Sequence, residues 1–217
     1  MDTALNWSPV IQMTEETAAE VLDPDVHLML RVKGGDMGAF GILFEKHTRA
    51  LINFTFRFVR NRDTAEELAQ EIFLKVYENA AGYQAQARFS TWLYRIATNI
   101  CLNEIRKPRF RATHQSLNPR RSDSADSAPA DIKDEQMKGP DKLFEQRTIA
   151  QILKQALERL PEKQRIAFVL NKYQEFSYAE VADIMRISEK AVKSLIHRAK
   201  GALAERLNPL MPELLLK

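Results

Sequence analysis

Between Pro108 and Pro140 the apolar pattern of this chain collapses. The stretch SLNPRRSDSADSAPAD is dominated by Ser, Asp, Ala, Arg and Pro, with no apolar repeat at helical or strand spacing. Such a segment buries too little surface to order its own backbone. It therefore divides the chain, because any core must form before it or after it. The 217 residues are expected as two small modules joined by a flexible linker. Treated as a flexible coil, that linker spans ~30 Å on average, and ~110 Å when fully extended.

Both flanks carry helical periods. Asp25 to Lys33 reads as a short helix ended by Gly34-Gly35. Phe40, Leu43, Phe44, His47, Leu51, Phe54 and Phe58 then mark one aromatic-rich stripe of a long helix. Asp63, three residues before Glu66, is expected as the N-cap of the next helix. There Ala65, Leu68, Ala69, Ile72, Phe73, Val76 and Tyr77 face inward and Gly82 closes the element. A fourth helix runs from about Phe89 to Arg106, with Phe89, Trp92, Leu93, Ile96, Ala97 and Ile100 on one face and Lys107-Pro108 as the stop.

After the linker, Ile149, Ile152, Leu153, Ala156, Leu157 and Leu160 form an amphipathic stripe ended by Pro161. A helix over about Glu162 to Tyr173 follows. Ser177 and Glu180 have capping-box spacing and open a short helix with Val181, Ala182, Ile184 and Met185 inward. Arg186-Ile187 separates it from Ser188, a second N-cap. The last helix runs to about Leu207 with Val192, Leu195, Ile196, Ala199 and Leu203 inward. No strand pattern is sustained, and Gly totals only 7. The fold class is all-α: two small helical domains, the C-terminal one containing a helix-turn-helix. The expected divisions are an arm at 1–22, domains at 23–107 and 141–217, and the linker at 108–140.

The formal net charge of +3 conceals strong local imbalances. From Arg88 to Arg121 eight basic residues face Glu104 alone, and from Arg186 to Arg206 six face Glu189 and Glu205. Between Asp63 and Glu78 five acids face only Lys75. Two basic zones on two modules point to two contacts with a polyanion, and the acidic zone to a different, protein partner.

On the last helix, Lys190, Lys193, Ser194 and His197 fall opposite Val192, Leu195, Ile196 and Ala199. The first group can donate or accept at base edges in a major groove. Arg198 and Lys200 flank it, where phosphates would lie. A merely solvated bundle helix is the plainer reading, but the charge, the two caps and the tight turn together favour DNA. On the fourth helix, Arg88, Arg95 and Arg106 can pair with phosphates, and Thr98 and Asn99 can bond bases. Trp92 and Tyr94 lie beside those arginines, an arrangement that suits unstacked bases, although a Trp at helical spacing is equally a core residue. Leu102 interrupts this polar face. Glu67, Gln70, Glu71, Leu74 and Glu78 share the outward face of the acidic helix. That row is either a docking surface or an ordinary soluble face with acids near a helix start.

One Cys excludes an internal disulfide and a multi-Cys zinc site, and the four His are scattered. No nucleophile pair or phosphate-cradling Gly-rich loop is present. No catalytic residue, metal or cofactor is expected, and the chain is not expected to be an enzyme. Residues 1–22 carry four acids and no base, unlike a secretory signal. No run reaches the ~18 apolar residues of a spanning helix, so a cytoplasmic protein with no membrane insertion is expected.

Three segments in this order resemble alternative sigma factors of the extracytoplasmic-function group. AEELAQEIFLKVYENA is similar to the family's core-polymerase-binding segment, and FSTWLYRIATNICLNEIRK to its promoter-melting helix. LERLPEKQRIAFVLNKYQEFSYAEVADIMRISEKAVKSLIHRAKGAL is similar to its C-terminal domain. The resemblance implies that Asp63, Glu66, Glu67, Gln70, Glu71 and Leu74 dock on the clamp of the largest polymerase subunit. It implies that Arg88, Phe89, Trp92, Arg95, Asn99 and Arg106 open and read the −10 element. Lys190, Lys193, Ser194, His197, Arg198 and Lys200 would read the −35 element as duplex. Core RNA polymerase, promoter DNA and an anti-sigma factor are the implied partners. Leu195 and His197 stand where relatives often carry a basic or aromatic residue, and Arg186 where a helix-turn-helix often has Gly. Two other readings remain: a two-domain helix-turn-helix regulator that acts without polymerase docking, and a helical enzyme using Glu67 and Glu71 as acid and base.

Overall fold

Pro24 sits at the start of the first helix, where its missing N–H costs nothing. This helix, α1, covers Pro24–Lys33 and is capped by Asp23, which accepts from the Asp25 N–H at 3.0 Å. The computed structural model describes residues 23–108 and 152–207. The expected arm at 1–22, nearly all of the expected linker and residues 208–217 lie outside the described residues. Gly35 turns the chain after α1 at φ +94, a conformation that favours glycine. Asp36 then does two jobs. One oxygen caps α2 (Met37–Val59) through the Ala39 N–H, and the other receives Arg31 at 2.7 Å, which fixes the α1–α2 corner. Both contacts hold the Asp36 carboxyl below its ordinary pKa, the Ala39 N–H first and Arg31 second.

Helix α3 (Arg62–Glu78) corrects one expectation. Its N-cap is Asn61, whose side chain accepts from the Thr64 N–H at 2.8 Å. Asp63 lies inside the first turn, and Glu66 pairs with Arg62 at 2.9 Å. Asn61 wins because it has the extended backbone a cap needs, at φ −121 and ψ 130. Helix α3 also stops at Glu78, before Gly82, and a 3-10 turn fills Ala80–Gly82. Thr55, fully buried, ties α2 to α3 by donating within 3.0 Å of the Ala65 carbonyl.

Helix α4 (Phe89–Arg106) matches the expected span. Its first residue has no local side-chain cap. The Phe89 N–H instead donates to Asp23 at 2.9 Å, so one carboxylate serves the starts of both α1 and α4. In the C-terminal unit residues 152–158 are helical, followed by α5 (Glu162–Tyr173), α6 (Tyr178–Met185) and α7 (Glu189–Leu207). Both expected caps form. Ser177 and Glu180 make the reciprocal capping box, and Ser188 accepts from the Ala191 N–H at 3.3 Å. Arg186, between them, takes a left-handed conformation at φ 53 and ψ 49, the position where glycine was expected to serve best.

The described residues are all-helical, without strands. Leu43, Phe54, Phe58, Ile72, Phe89 and Leu93 form the centre of the N-terminal core. The same core continues through Ile166, Leu170, Phe176, Val181 and Ile196 of the C-terminal unit. The sequence implied two modules with separate cores. In the structure α4 packs against α6, and the apolar interior runs across the junction. A smaller cluster, Ala156, Leu157, Leu160, Ala199 and Leu203, closes the far end of the C-terminal unit.

Candidate nucleic-acid and polymerase interfaces

The turn at Arg186 aims α7 away from the core. Val192, Ile196 and Ala199 are buried beneath it. Lys190, Lys193, Ser194, His197, Arg198 and Lys200 are all exposed on it. All six expected residues therefore share an open surface. Lys193 pairs with Glu189 at 2.8 Å, one turn back, and that carboxylate raises the ammonium above its ordinary pKa. The charge on Lys193 is thus secure near neutral pH, and its partner is an exposed side chain that phosphate can replace.

The expected face of α4 is more mixed. Asn99 is exposed, and Arg88 and Arg106 reach solvent. Trp92 is half-buried at the core edge, its ring 5.0 Å from Tyr83. Phe89 does not meet the expectation of a DNA contact. It is 0% exposed and packs against His47, Tyr83 and Trp92, so it supports the face from beneath. Thr98, expected to bond bases, is 3% exposed with its hydroxyl unpartnered. Tyr94 is buried too, donating to the Gln174 side chain, and its burial raises the phenol pKa. Arg95 is half-buried with its Nε unpartnered. Leu102, which seemed to interrupt a polar face, packs on the core. The C-terminal unit covers Tyr94 on this side of α4, through Gln174 and Phe176.

On α3, Asp63, Glu67, Gln70, Glu71 and Leu74 are exposed, and Glu66 is half-buried. Leu74 is 54% exposed, an apolar side chain ringed by carboxylates. The surface extends further than the acidic row. A shallow groove of about 300 Å³ runs between α2 and α3, lined by Phe44, Thr48, Ile52, Glu66, Ala69 and Gln70. Met37 and Tyr77 add further exposed apolar area at its end. The sequence reading missed the α2 half because Phe44 belongs to the core stripe, yet it sits at the stripe's edge against Phe73. An aromatic at the margin of an apolar stripe was the available signal.

Cys101 is buried, and burial raises its thiol pKa well above the usual range, which keeps it protonated and inert. Among the described residues no three His, Cys, Asp or Glu are grouped as a metal would need. Among the same residues no helix is long and apolar enough to cross a membrane.

A helix-turn-helix and a basic helix occur in many regulators, so the combination with the α3 face needs an independent comparison. The pattern described as "Sigma-70 region 2" matches residues 43–111, and "Sigma-70, region 4" matches residues 150–203. Relatives match across nearly the whole length. The ECF RNA polymerase sigma factor SigW of Bacillus subtilis is 30% identical over 184 residues, covering 83% of this chain and 95% of its own. The chain belongs to the sigma-70 family, in its extracytoplasmic-function (ECF) group. The ECF sigma-E factor of Escherichia coli is 30% identical over 187 residues, covering 86% of this chain and 96% of its own. The sigma-H factor of Pseudomonas aeruginosa is 29% identical over 191 residues, covering 88% and 97%. Among solved structures, the sigma factor RpoE in complex with the anti-sigma factor NepR from Bartonella quintana superposes with a TM-score of 0.57 at 25% identity, covering 78% of this chain and 96% of that one. CnrH in complex with the cytosolic domain of CnrY superposes at 0.62 with 21% identity, covering 86% and 99%, a likeness of fold. The chain is an alternative sigma factor, which binds core RNA polymerase and brings it to promoter DNA.

Proposed function

We propose a division of labour among three surfaces of this sigma factor. The α3 face of Asp63, Glu66, Glu67, Gln70, Glu71 and Leu74, with the groove beside Phe44, docks on the clamp of the largest polymerase subunit. Helix α4 serves the −10 element through Arg88, Trp92, Arg95, Asn99 and Arg106. Helix α7 reads the −35 element as duplex through Lys190, Lys193, Ser194 and His197, with Arg198 and Lys200 on the phosphates. Phe89 supports the α4 surface and does not itself touch DNA. The domains are 23–107 and 141–217, joined through 108–140.

The observation that carries this reading is the α7 surface: an open row of donors and acceptors directly opposite a buried stripe, presented by a capped tight turn. Base edges in the major groove reward that pattern, and phosphates reward its flanking cations. The −10 step asks α4 to hold bases that leave the stack, each at a cost of about a few kcal/mol. Polymerase supplies the catalysis, and this chain is not an enzyme. It acts in the cytoplasm. An anti-sigma factor is its further partner; the sigma factor RpoE of Bartonella quintana, similar in structure, is in complex with one, NepR.

Charge reversal tests the docking surface. Glu67→Lys with Glu71→Lys places cations where the acidic row stood, and it should weaken binding to core polymerase by roughly 100-fold or more. Co-elution with purified core enzyme measures this, while duplex DNA binding through α7 should be unchanged. Unaltered polymerase binding would favour the alternative of a regulator that works without docking.

A further inference from the structure

Helix α2 ends on a residue that its backbone does not favour. Arg60 takes a left-handed conformation at φ 60 and ψ 11, which glycine or asparagine adopts most readily. Its side chain is only 11% exposed, and its charge is felt by Arg165 of α5 and by Lys154 of the helical stretch 152–158. Arg165 is 8% exposed. Each guanidinium spends one outer nitrogen on a backbone carbonyl. Arg60 donates to the Lys154 carbonyl at 2.7 Å, and Arg165 donates to the Arg57 carbonyl. The Nε–H of each is buried and has no hydrogen-bond partner among the described residues. A buried donor left unmet is costly, and it marks a place where a water or an ion belongs.

The charge is as unbalanced as the hydrogen bonding. Among the described residues Glu158 is the one carboxylate ion-paired in this cluster, 2.9 Å from Arg60. Burial lowers the pKa of Arg60, Lys154 and Arg165, and Glu158 offsets that only in part. Arg165, with Arg60 beside it, comes down to about 10 and so stays charged at neutral pH. The surroundings hold cations without neutralising them: the Arg57 guanidinium lies 3.5 Å over the Tyr173 ring, and that of Arg165 lies 4.9 Å over Phe58. Cations drawn out of water around a single carboxylate repel one another, and a further anion relieves them. The cluster has a way in, because the Glu158 side chain is 42% exposed and Lys154 is exposed beside it. Guanidinium forks match phosphate oxygens two at a time, and a lysine adds a point charge.

We propose that Arg60, Lys154 and Arg165 form a binding site for a small phosphate anion, with the Glu158 carboxylate standing in for that anion in the free chain. An arriving phosphate displaces Glu158 into solvent, takes its place on Arg60, and supplies acceptors that the two Nε–H groups lack. None of the three cations belongs to the α3, α4 or α7 surfaces assigned above, so the site stands or falls independently of those assignments.

The test uses the full chain without polymerase or DNA. Sodium phosphate is compared with sodium chloride at matched ionic strength, so that general screening cancels. Calorimetric titration gives the affinity and thermal unfolding gives the stabilisation. Wild type should bind phosphate saturably and melt about 3–6 °C higher near saturation. Glu158→Gln removes the internal competitor and should tighten phosphate binding by roughly three- to tenfold. Arg60→Gln should weaken it by roughly tenfold or more. Glu158 is a largely exposed side chain, so its variant keeps the test sound if a buried arginine variant folds poorly. Pyrophosphate and ADP run in parallel: a response confined to the inorganic anions makes the ligand a free phosphate, and an equal or stronger response to ADP makes it a nucleotide's phosphate. Equal melting of wild type in phosphate and chloride overturns the site. So does phosphate binding that neither Glu158→Gln nor Arg60→Gln alters, because the anion then sits on another basic surface.

Discussion

Helices α4 and α7 both carry a basic surface proposed to face DNA, yet the two are built differently. On α7 the reading residues and the packing residues occupy opposite sides, Lys193 and Ser194 outward against Val192 and Ile196 inward. On α4 they interleave. Phe89, Tyr94 and Thr98 are buried among the residues expected to meet DNA, and the C-terminal unit lies across Tyr94. A duplex offers a groove that accepts a helix face as it stands, so α7 needs only to be held out. Unstacked bases offer no such frame, and in the proposed −10 role α4 would rely on the aromatic bed of Tyr83, Phe89 and Trp92.

That contrast breaks most visibly at Phe89. Phe89→Ala removes a fully buried ring and should cost about 3–5 kcal/mol of stability, measured by denaturant unfolding. A cost below about 1 kcal/mol would mean that the residue is not the support described. Lys193→Ala should leave the melting curve unchanged and cost ~1–3 kcal/mol of DNA binding at one −35 position. An equal loss across all sequences would make Lys193 a phosphate contact instead. The smallest effect concerns the turn that presents α7. Arg186→Gly relieves a left-handed residue at φ 53 and should raise stability by up to about 1 kcal/mol without altering DNA specificity. A fall in stability would show that the arginine side chain, rather than the backbone, holds the turn.

Much of each helix was legible because its signals were local. The α4 span follows from an apolar stripe and a Pro108 stop, and the capping box at Ser177 from residues three apart. The Asp63 cap failed for a local reason as well: Asn61, two residues earlier, is equally able to cap and has the extended backbone. What could not be read was the second layer. Periodicity identifies which side of a helix meets its own core, and says nothing of a partner arriving on the other side. Thr91 and Thr98 look like surface residues by that rule, but both are buried. The contact that buries this side pairs Tyr94 with Gln174, 80 residues apart and across a linker with no pattern. Phe44 shows the opposite case: it belongs to an apolar stripe, yet it stands at the stripe's open edge.

Run-off transcription from a promoter library, with purified core polymerase and this chain, tests the central claim most directly. Discrete starts that depend on the added chain, each preceded by a shared −35 and −10 pair, are the predicted result. Transcription that starts nowhere in particular, or in the same places without the chain, would contradict it.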